Sequence, residues 1–275
     1  MTDRKTLFWY DLETFGTDSK RDRISQFAGV RTDEDLNIID DPVTIYCRLS
    51  EEILPEPISC LVTGITPELV NTKGLPEYEF IKKIHHEFSQ PNTCVVGYNN
   101  VRFDDEFIRY TYYRNFYDPY EREWKNGNSR WDIIDMVRLA YAMRPDGINW
   151  PKNDDGVTSF KLELLSKAND ISHDMAHDAM SDVYATIALA RLIKQKQPNV
   201  YNYVYNNRSK QSLIKMLNVR QMTPVLHVSS RYPTKQFCTA VVAPLAVHPI
   251  NKNSYIVYNL SENPTQLIEL NINQI

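Results

Sequence analysis

Asp11 and Glu13 stand two positions apart in FWYDLETFG, residues 8–16, an otherwise apolar and aromatic run. Alternate residues of a strand share a face, so the two carboxylates are expected side by side. Close acids repel, and burial raises the cost of keeping both charged; a cation between them would relieve it. Two further acids could share the site: Asp104, in NNVRFDD (99–105), and Asp182, in HDAMSD (177–182). His177 precedes Asp182 by five residues, about 500° of rotation on a regular helix. The two cannot both face inward from one helix, so His177 is expected at a frayed helix start or on the loop before it. Clustered carboxylates hold hard cations through oxygen, and Mg²⁺ takes one or two carboxylates together with substrate phosphate. Two such ions about 3.5–4 Å apart can hold both the attacking and the leaving oxygen of a phosphodiester. A histidine with an ordinary pKa of about 6.5 can take the proton from the attacking water. Each element alone is weak, since Asp-x-Glu pairs are common and an Asp at a helix start is most often a cap. Their conjunction points to metal-assisted phosphodiester hydrolysis, because each acid ends an apolar strand or sits on a core helix, where an unpaired charge is costly.

The elements that must carry these residues are readable from periodicity. Strands are expected over 6–12, 24–31 and 43–48, and Thr66-Pro67-Glu68 is a helix start with Pro at the first position. Residues 78–89 have helical spacing, and 93–99 (TCVVGYN) reads as a buried central strand. Helices are expected from about Asp104, over 132–143, over 162–170, and over 177–196, whose basic C-terminus suits the helix dipole. Strand C-terminal ends in open α/β sheets are where ligands bind, which is where Asp104 falls. Residues 199–218 read as further helix. From Thr223 the texture changes to short β-like runs (PVLHVSS, CTAVVAPLAVHP, SYIVYNL, QLIELNI) punctuated by Pro233, Pro244, Pro249 and Pro264, the pattern of a small antiparallel sheet or barrel. The expected organisation is a first domain over 1–196, then linker helices and a β module over 197–275.

Composition narrows the classes. Of 275 residues 42% are apolar, enough for a core, and eight Gly against 17 Tyr exclude a low-complexity chain. Cys47, Cys60, Cys94 and Cys238 are scattered without a CxxC pair, so structural zinc is not expected. The first six residues are polar and no apolar run nears the roughly 20 residues of a membrane span, so neither export signal nor span is expected, and free thiols suit the cytoplasm. The net charge of −4 hides a division: residues 208–261 hold seven Lys and Arg and no Asp or Glu. Such a stretch suits a polyanion, although solvated lysines on an ordinary basic module would give the same count.

The order D-x-E, N-x-x-x-F-D, H-x4-D resembles the signature of the DEDD 3′→5′ exonucleases of the His subtype. FWYDLETFGT, TGITPE, VGYNNVRFDDEF, YRNFYDPY, NSRWDIIDMVR, RPDGINWP, KAND and AHDAMSDVYATIALA are similar to the bacterial branch of that family that degrades single-stranded DNA. The resemblance spans nearly the whole chain. It implies an α/β fold, an RNase H-like exonuclease domain with a mixed central sheet flanked by helices, followed by an SH3-like β module that the 275 residues enter only in part. It implies a Mg²⁺-dependent, single-strand-specific exodeoxyribonuclease of DNA repair and recombination, using two ions that Mn²⁺ can replace and releasing 5′-mononucleotides. The catalytic set carried over is Asp11, Glu13, Asp104, His177 and Asp182, with Asp11, Glu13 and Asp182 as metal ligands and Asp104 supporting the second ion. Single-strand contacts carried over are Arg109, Tyr120, Trp124, Arg138 and Lys161, the last a lysine where the family often has arginine. Expected partners are single-stranded DNA and the acidic C-terminal tail of a single-strand DNA-binding protein, with no membrane and a monomeric state. The family also has a C-terminal helical domain that helps enclose the strand; these 275 residues alone are expected to digest distributively. The alternatives are an exoribonuclease of the same superfamily and a strand- or partner-binding fragment without effective catalysis.

Overall fold

β1 (Thr6–Thr14) carries two rows of side chains. Phe8, Tyr10 and Leu12 belong to one apolar cluster, and Leu7 and Trp9 to another on the opposite face. Asp11 and Glu13 continue the Leu7–Trp9 row, as the two-residue period requires. The computed structural model describes residues 4–173 and 178–271. In it β2 (Ile24–Thr32) lies antiparallel to β1, and β3 (Val43–Tyr46) antiparallel to β2. Two short helices follow, α1 (Pro57–Thr63) and α2 (Pro67–Lys73), the second capped by Thr66, whose hydroxyl accepts from the Leu69 amide. α3 (Glu77–Phe88) leads to β4 (Thr93–Gly97), which runs parallel to β1, and α4 (Asp104–Arg114) leads to β5 (Ser129–Asp132), parallel to β4. The sheet order β3-β2-β1-β4-β5 is the mixed sheet expected.

Helices close both faces. Phe80, Ile84 and Phe88 of α3 and Phe107, Ile108 and Tyr112 of α4 pack on the Phe8 side. On the Trp9 side lie α5 (Ile134–Met143), α6 (Leu162–Ala168), α7 (Ala179–Lys196) and α8 (Pro198–Asn206), through Val137, Leu165, Val183, Ile187, Ala190 and Tyr201. α7 therefore crosses β1 on the face that carries Asp11 and Glu13. After α9 (Lys210–Met216), strands β6 (Val225–Val228), β7 (Thr239–Val247) and β8 (Tyr255–Asn259) form a separate antiparallel sheet in the order β6-β7-β8. This second sheet is seated on the first unit by the Phe237 ring, 5.6 Å from that of Tyr141, and by a 3.0 Å hydrogen bond from Arg102 to Ser230 Oγ.

Three expectations need correction. Residues 132–143 are not one helix: β5 ends at Asp132, whose Oδ1 accepts from the Ile134 amide at 3.0 Å and opens α5. One acid both finishes the strand and starts the helix, which is why the stretch reads as helical throughout. The helical stretch 199–218 is broken, because Ser209 accepts from the Ser212 amide and starts α9 afresh. QLIELNI does not begin as a strand; Asn263 Oδ1 accepts from the Thr265 amide at 3.0 Å and initiates α10 (Thr265–Glu269), the side-chain turn that competes with sheet.

Candidate active site

Strand period, helix cap and helix packing together build the acid cluster. Asp178 caps α7, its side chain accepting from the Ser181 amide. One turn on, Asp182 lies over β1, and single oxygens of Asp11, Glu13 and Asp182 fall within 4.8 Å of one another. Asp104, the first residue of α4, is buried beside them; after burial itself, its charge is the largest influence on Asp11. Among the described residues no Lys or Arg is ion-paired with Asp11, Glu13 or Asp104. Burial first, and then the neighbouring carboxylates, hold the Asp11 carboxyl well above its usual range. Burial and then Asp182 push Glu13 up to about 8. Burial pushes Asp104 up to about 8 as well, even though backbone hydrogen bonds at Asp104 and Leu12 favour its charged form. Asp11, Glu13 and Asp104, held above the usual carboxyl range with no ion-paired Lys or Arg among the described residues, form together with Asp182 a donor set that fits a hard divalent cation.

A pH dependence follows. In the folded chain Glu13 and Asp104 stay protonated up to about pH 8, whereas unfolded they ionise near their ordinary values of 4.5 and 3.8. Unfolding releases protons between those limits, so metal-free stability should fall as pH rises from about 5 to about 8 and level off above. Thermal melts in chelator should show that slope, and melts in millimolar Mg²⁺ or Mn²⁺ should flatten it. Equal slopes with and without the ion would contradict the cluster's assigned environment.

Asp105, the adjacent acid, behaves oppositely. It is fully buried, accepts from Tyr10 Oη at 2.8 Å and Arg130 at 2.8 Å, and is ion-paired with the fully buried Arg122. Those arginines hold its carboxyl below the usual range despite burial. Asp105 is an anchor for α4, and Asp104 is the acid that faces the cluster. Two further residues, absent from the sequence reasoning, belong to the site. His173 Nε2 is hydrogen-bonded to Asp182 Oδ1, and Gln26 on β2 bonds the start of α7. His177 lies outside the described residues.

The expected strand contacts fall into two groups. Arg138 and Lys161 line a cleft of about 400 Å³ together with Asp11, Asp182, Tyr98, Asn99 and Phe160. Arg138 there is ion-paired to Asp135 at 2.7 Å and lies 6.0 Å from the Phe160 ring centre. Arg109, Tyr120 and Trp124 do not line that cleft. Arg109 is ion-paired with Glu106 and, at 2.7 Å, with Glu123, and its guanidinium lies 5.0 Å from the Tyr120 ring centre. Tyr120 and Trp124 are 56% and 67% exposed, so neither serves as core. Among the described residues no helix is long and apolar enough to cross a membrane.

The family model described as Exonuclease matches residues 8–190, and that described as Exonuclease I SH3-like domain matches residues 208–275. Exodeoxyribonuclease I of Haemophilus influenzae is 54% identical over 263 residues, covering 96% of this chain and 56% of that protein. The chain is similar to the crystal structure of Escherichia coli exonuclease I in complex with a dA16 oligonucleotide, with a TM-score of 0.96 and 49% identity over 98% of this chain and 58% of that one. It is similar, too, to the zinc ion bound form of the E. coli enzyme's complex with single-stranded DNA, with a TM-score of 0.94 and 48% identity over 98% and 58%. The chain thus spans a little over half the length of the relatives it matches. With the family model covering two thirds of its residues, the acid-bearing sheet and the helix that crosses it, the chain belongs to the exonuclease family.

Proposed function

We propose that the chain carries the catalytic centre of a 3′→5′ exonuclease that hydrolyses single-stranded DNA to 5′-mononucleotides, in DNA repair and recombination. The observation that supports it most is the convergence of single carboxylate oxygens of Asp11, Glu13 and Asp182 to within 4.8 Å of one another. These three would hold divalent metal, Mg²⁺ in the first instance with Mn²⁺ able to replace it, and Asp104 would support a second ion. When bound, such ions supply Lewis-acid stabilisation to the attacking and leaving oxygens of the phosphodiester. The chain's residues orient the 3′ end: Arg138 and Lys161, on the cleft wall, take backbone phosphate. Phe160 lines the cleft beside them. His177 is assigned the proton of the attacking water, on residue type and place in the motif alone. Names of relatives and their oligonucleotide complexes favour single-stranded DNA over RNA.

The test is digestion of 3′- and 5′-labelled single strands, DNA and RNA, with Mg²⁺ or chelator. Loss of label from the 3′ end of DNA only with metal is expected. Preferential digestion of RNA would make it an exoribonuclease, and tight binding without cleavage would make it a binding fragment. Aromatics stack on any base at about 1–3 kcal/mol each. Trp124→Ala should therefore weaken strand binding by about that much, read by fluorescence anisotropy, with the melting temperature unchanged because Trp124 is exposed.

The remaining assignments are also proposals. They are two units meeting near residues 196 and 197, a monomer, and residence in the cytoplasm, which suits four free cysteines. The acidic tail of a single-strand DNA-binding protein is the proposed partner for the acid-free stretch 208–261.

A further inference from the structure

Gln26 stands directly opposite Glu13 in the β1–β2 register, so its side chain shares the face that carries Asp11 and Glu13. Its neighbours in that row of β2, Ala28 and Val30, are apolar core, and Gln26 is as buried as they are. A buried amide on such a face needs partners, and it finds them at the start of α7. Nε2 donates to Asp178 Oδ1 at 3.3 Å, and Oε1 accepts from the Ala179 amide at 3.4 Å. Nε2 also lies 3.3 Å from Tyr46 Oη. Asp178 Oδ2 in turn accepts from the Ser181 amide at 3.2 Å, and the Asp178 carbonyl accepts from the Asp182 amide at 3.1 Å. One side chain of the sheet thus grips both the side chain and the backbone of the first turn of α7, and Asp182 hangs from the same turn.

We propose that Gln26 is a positioning residue, a two-point lock that registers α7 against β2 and so sets the separation of Asp182 from Asp11 and Glu13. It deepens the metal-site reading of those three acids and rests on it. Further along, α7 is held by Val183, Ile187 and Ala190 through apolar contact that has no direction, and near its C-terminal end by Arg191 and Lys194, which donate to the Leu36 and Glu34 carbonyls; in the first turn the grip on the sheet is that of Gln26. Three carboxyl groups gathered within 4.8 Å need the first turn of α7 held at a fixed height over β1, and a directional amide lock supplies that constraint. An apolar residue at 26 would fill the space without fixing the register.

The test compares Gln26→Met, Gln26→Glu, and Gln26→Glu combined with Asp178→Asn. Binding of Mn²⁺ to the chain without DNA is followed by electron paramagnetic resonance. Residues that orient metal ligands typically change affinity by about 10- to 100-fold when altered. Gln26→Met should weaken Mn²⁺ binding by about tenfold on that scale. Gln26→Glu should weaken it further, because a carboxylate there faces Asp178; its added negative charge acting alone would tighten the ion instead. The double variant keeps the charge of the natural pair and exchanges donor for acceptor, so affinity should return close to the parent's. Tighter binding by Gln26→Glu, parent-like binding by Gln26→Met, or a double variant as weak as Gln26→Glu would each overturn the lock. Hydrogen exchange at the amides of Ala179 to Asp182 in metal-free protein reads the same lock with no ion present. Faster exchange in Gln26→Met, restored in the double variant, would uphold the lock even if the parent chain proved unable to cleave DNA. Unchanged exchange with intact cleavage would sink the lock alone.

Discussion

Asp11→Asn should slow digestion of single-stranded DNA by about a thousandfold or more while strand binding changes only a few fold. Metal stabilisation of a transferring phosphoryl group is worth several kcal/mol, and about 1.4 kcal/mol corresponds to a tenfold rate. Asp11 is central to the cluster: Asp104, Asp182 and Glu13 all act on it. Its loss therefore removes a ligand shared by the whole group. Arg138 and Lys161, across the same cleft, are untouched, so binding persists. A second signature separates this from misfolding. The carboxylate at 11 is held against burial and like charge, so its neutralisation should raise the melting temperature of the metal-free chain near pH 8. Single-turnover cleavage, anisotropy and thermal melts on one preparation would give all three numbers. Cleavage at the parent rate by Asp11→Asn would remove the catalytic centre from this site. A lowered melting temperature would mean that Asp11 has a structural partner.

The parts of this site that sequence reveals are those set by local period. Leu7, Trp9, Asp11 and Glu13 form one row because strands alternate, and that row meets α7 because the helix is long and apolar along one side. Asp182 is legible as a polar residue on such a helix. The choice of Asp104 over Asp105 is not legible from local pattern, since both follow Phe103 at a strand-to-helix junction. It rests on the resemblance until Arg122 and Arg130, 17 and 25 residues away, are seen to neutralise Asp105. His173 escapes notice because its partner Asp182 is nine residues further on, across the beginning of a helix. Gln26 carried a usable signal, a polar amide on the Ala28–Val30 face of a strand buried along its whole length. The strand β5 was hidden because four residues are too few to establish a period, and Asp132 looks like the start of the helix that follows.

Asp105→Ala should destabilise the chain by about 3–5 kcal/mol, the cost of leaving a buried partner charge without its counter-ion. Arg122 is that partner: its side chain is fully buried, and it lies over the Phe88 ring at 5.0 Å. Tyr10 and Arg130 lose an acceptor in the same change, but Arg130 is partly exposed and keeps Glu123 at 3.2 Å. For a chain of this length about 2–4 °C accompanies each kcal/mol, so the melting temperature should drop by roughly 10 °C. Asp104→Asn, one residue earlier and also buried, should move it upward in metal-free buffer near pH 8, since Asp104 has no such counter-ion and burial, then the charges of Asp105 and Asp132, disfavour its charge. Opposite shifts from adjacent acids are a sharp test, because a general sensitivity of the α4 start would move both the same way. Pairing Asp105→Leu with Arg122→Met should recover most of the loss, as apolar replacement of a whole buried ion pair is often neutral or stabilising. If the double variant stays as unstable as Asp105→Ala, the bonds to Tyr10 and Arg130, rather than the buried charge of Arg122, are what hold α4 to the sheet.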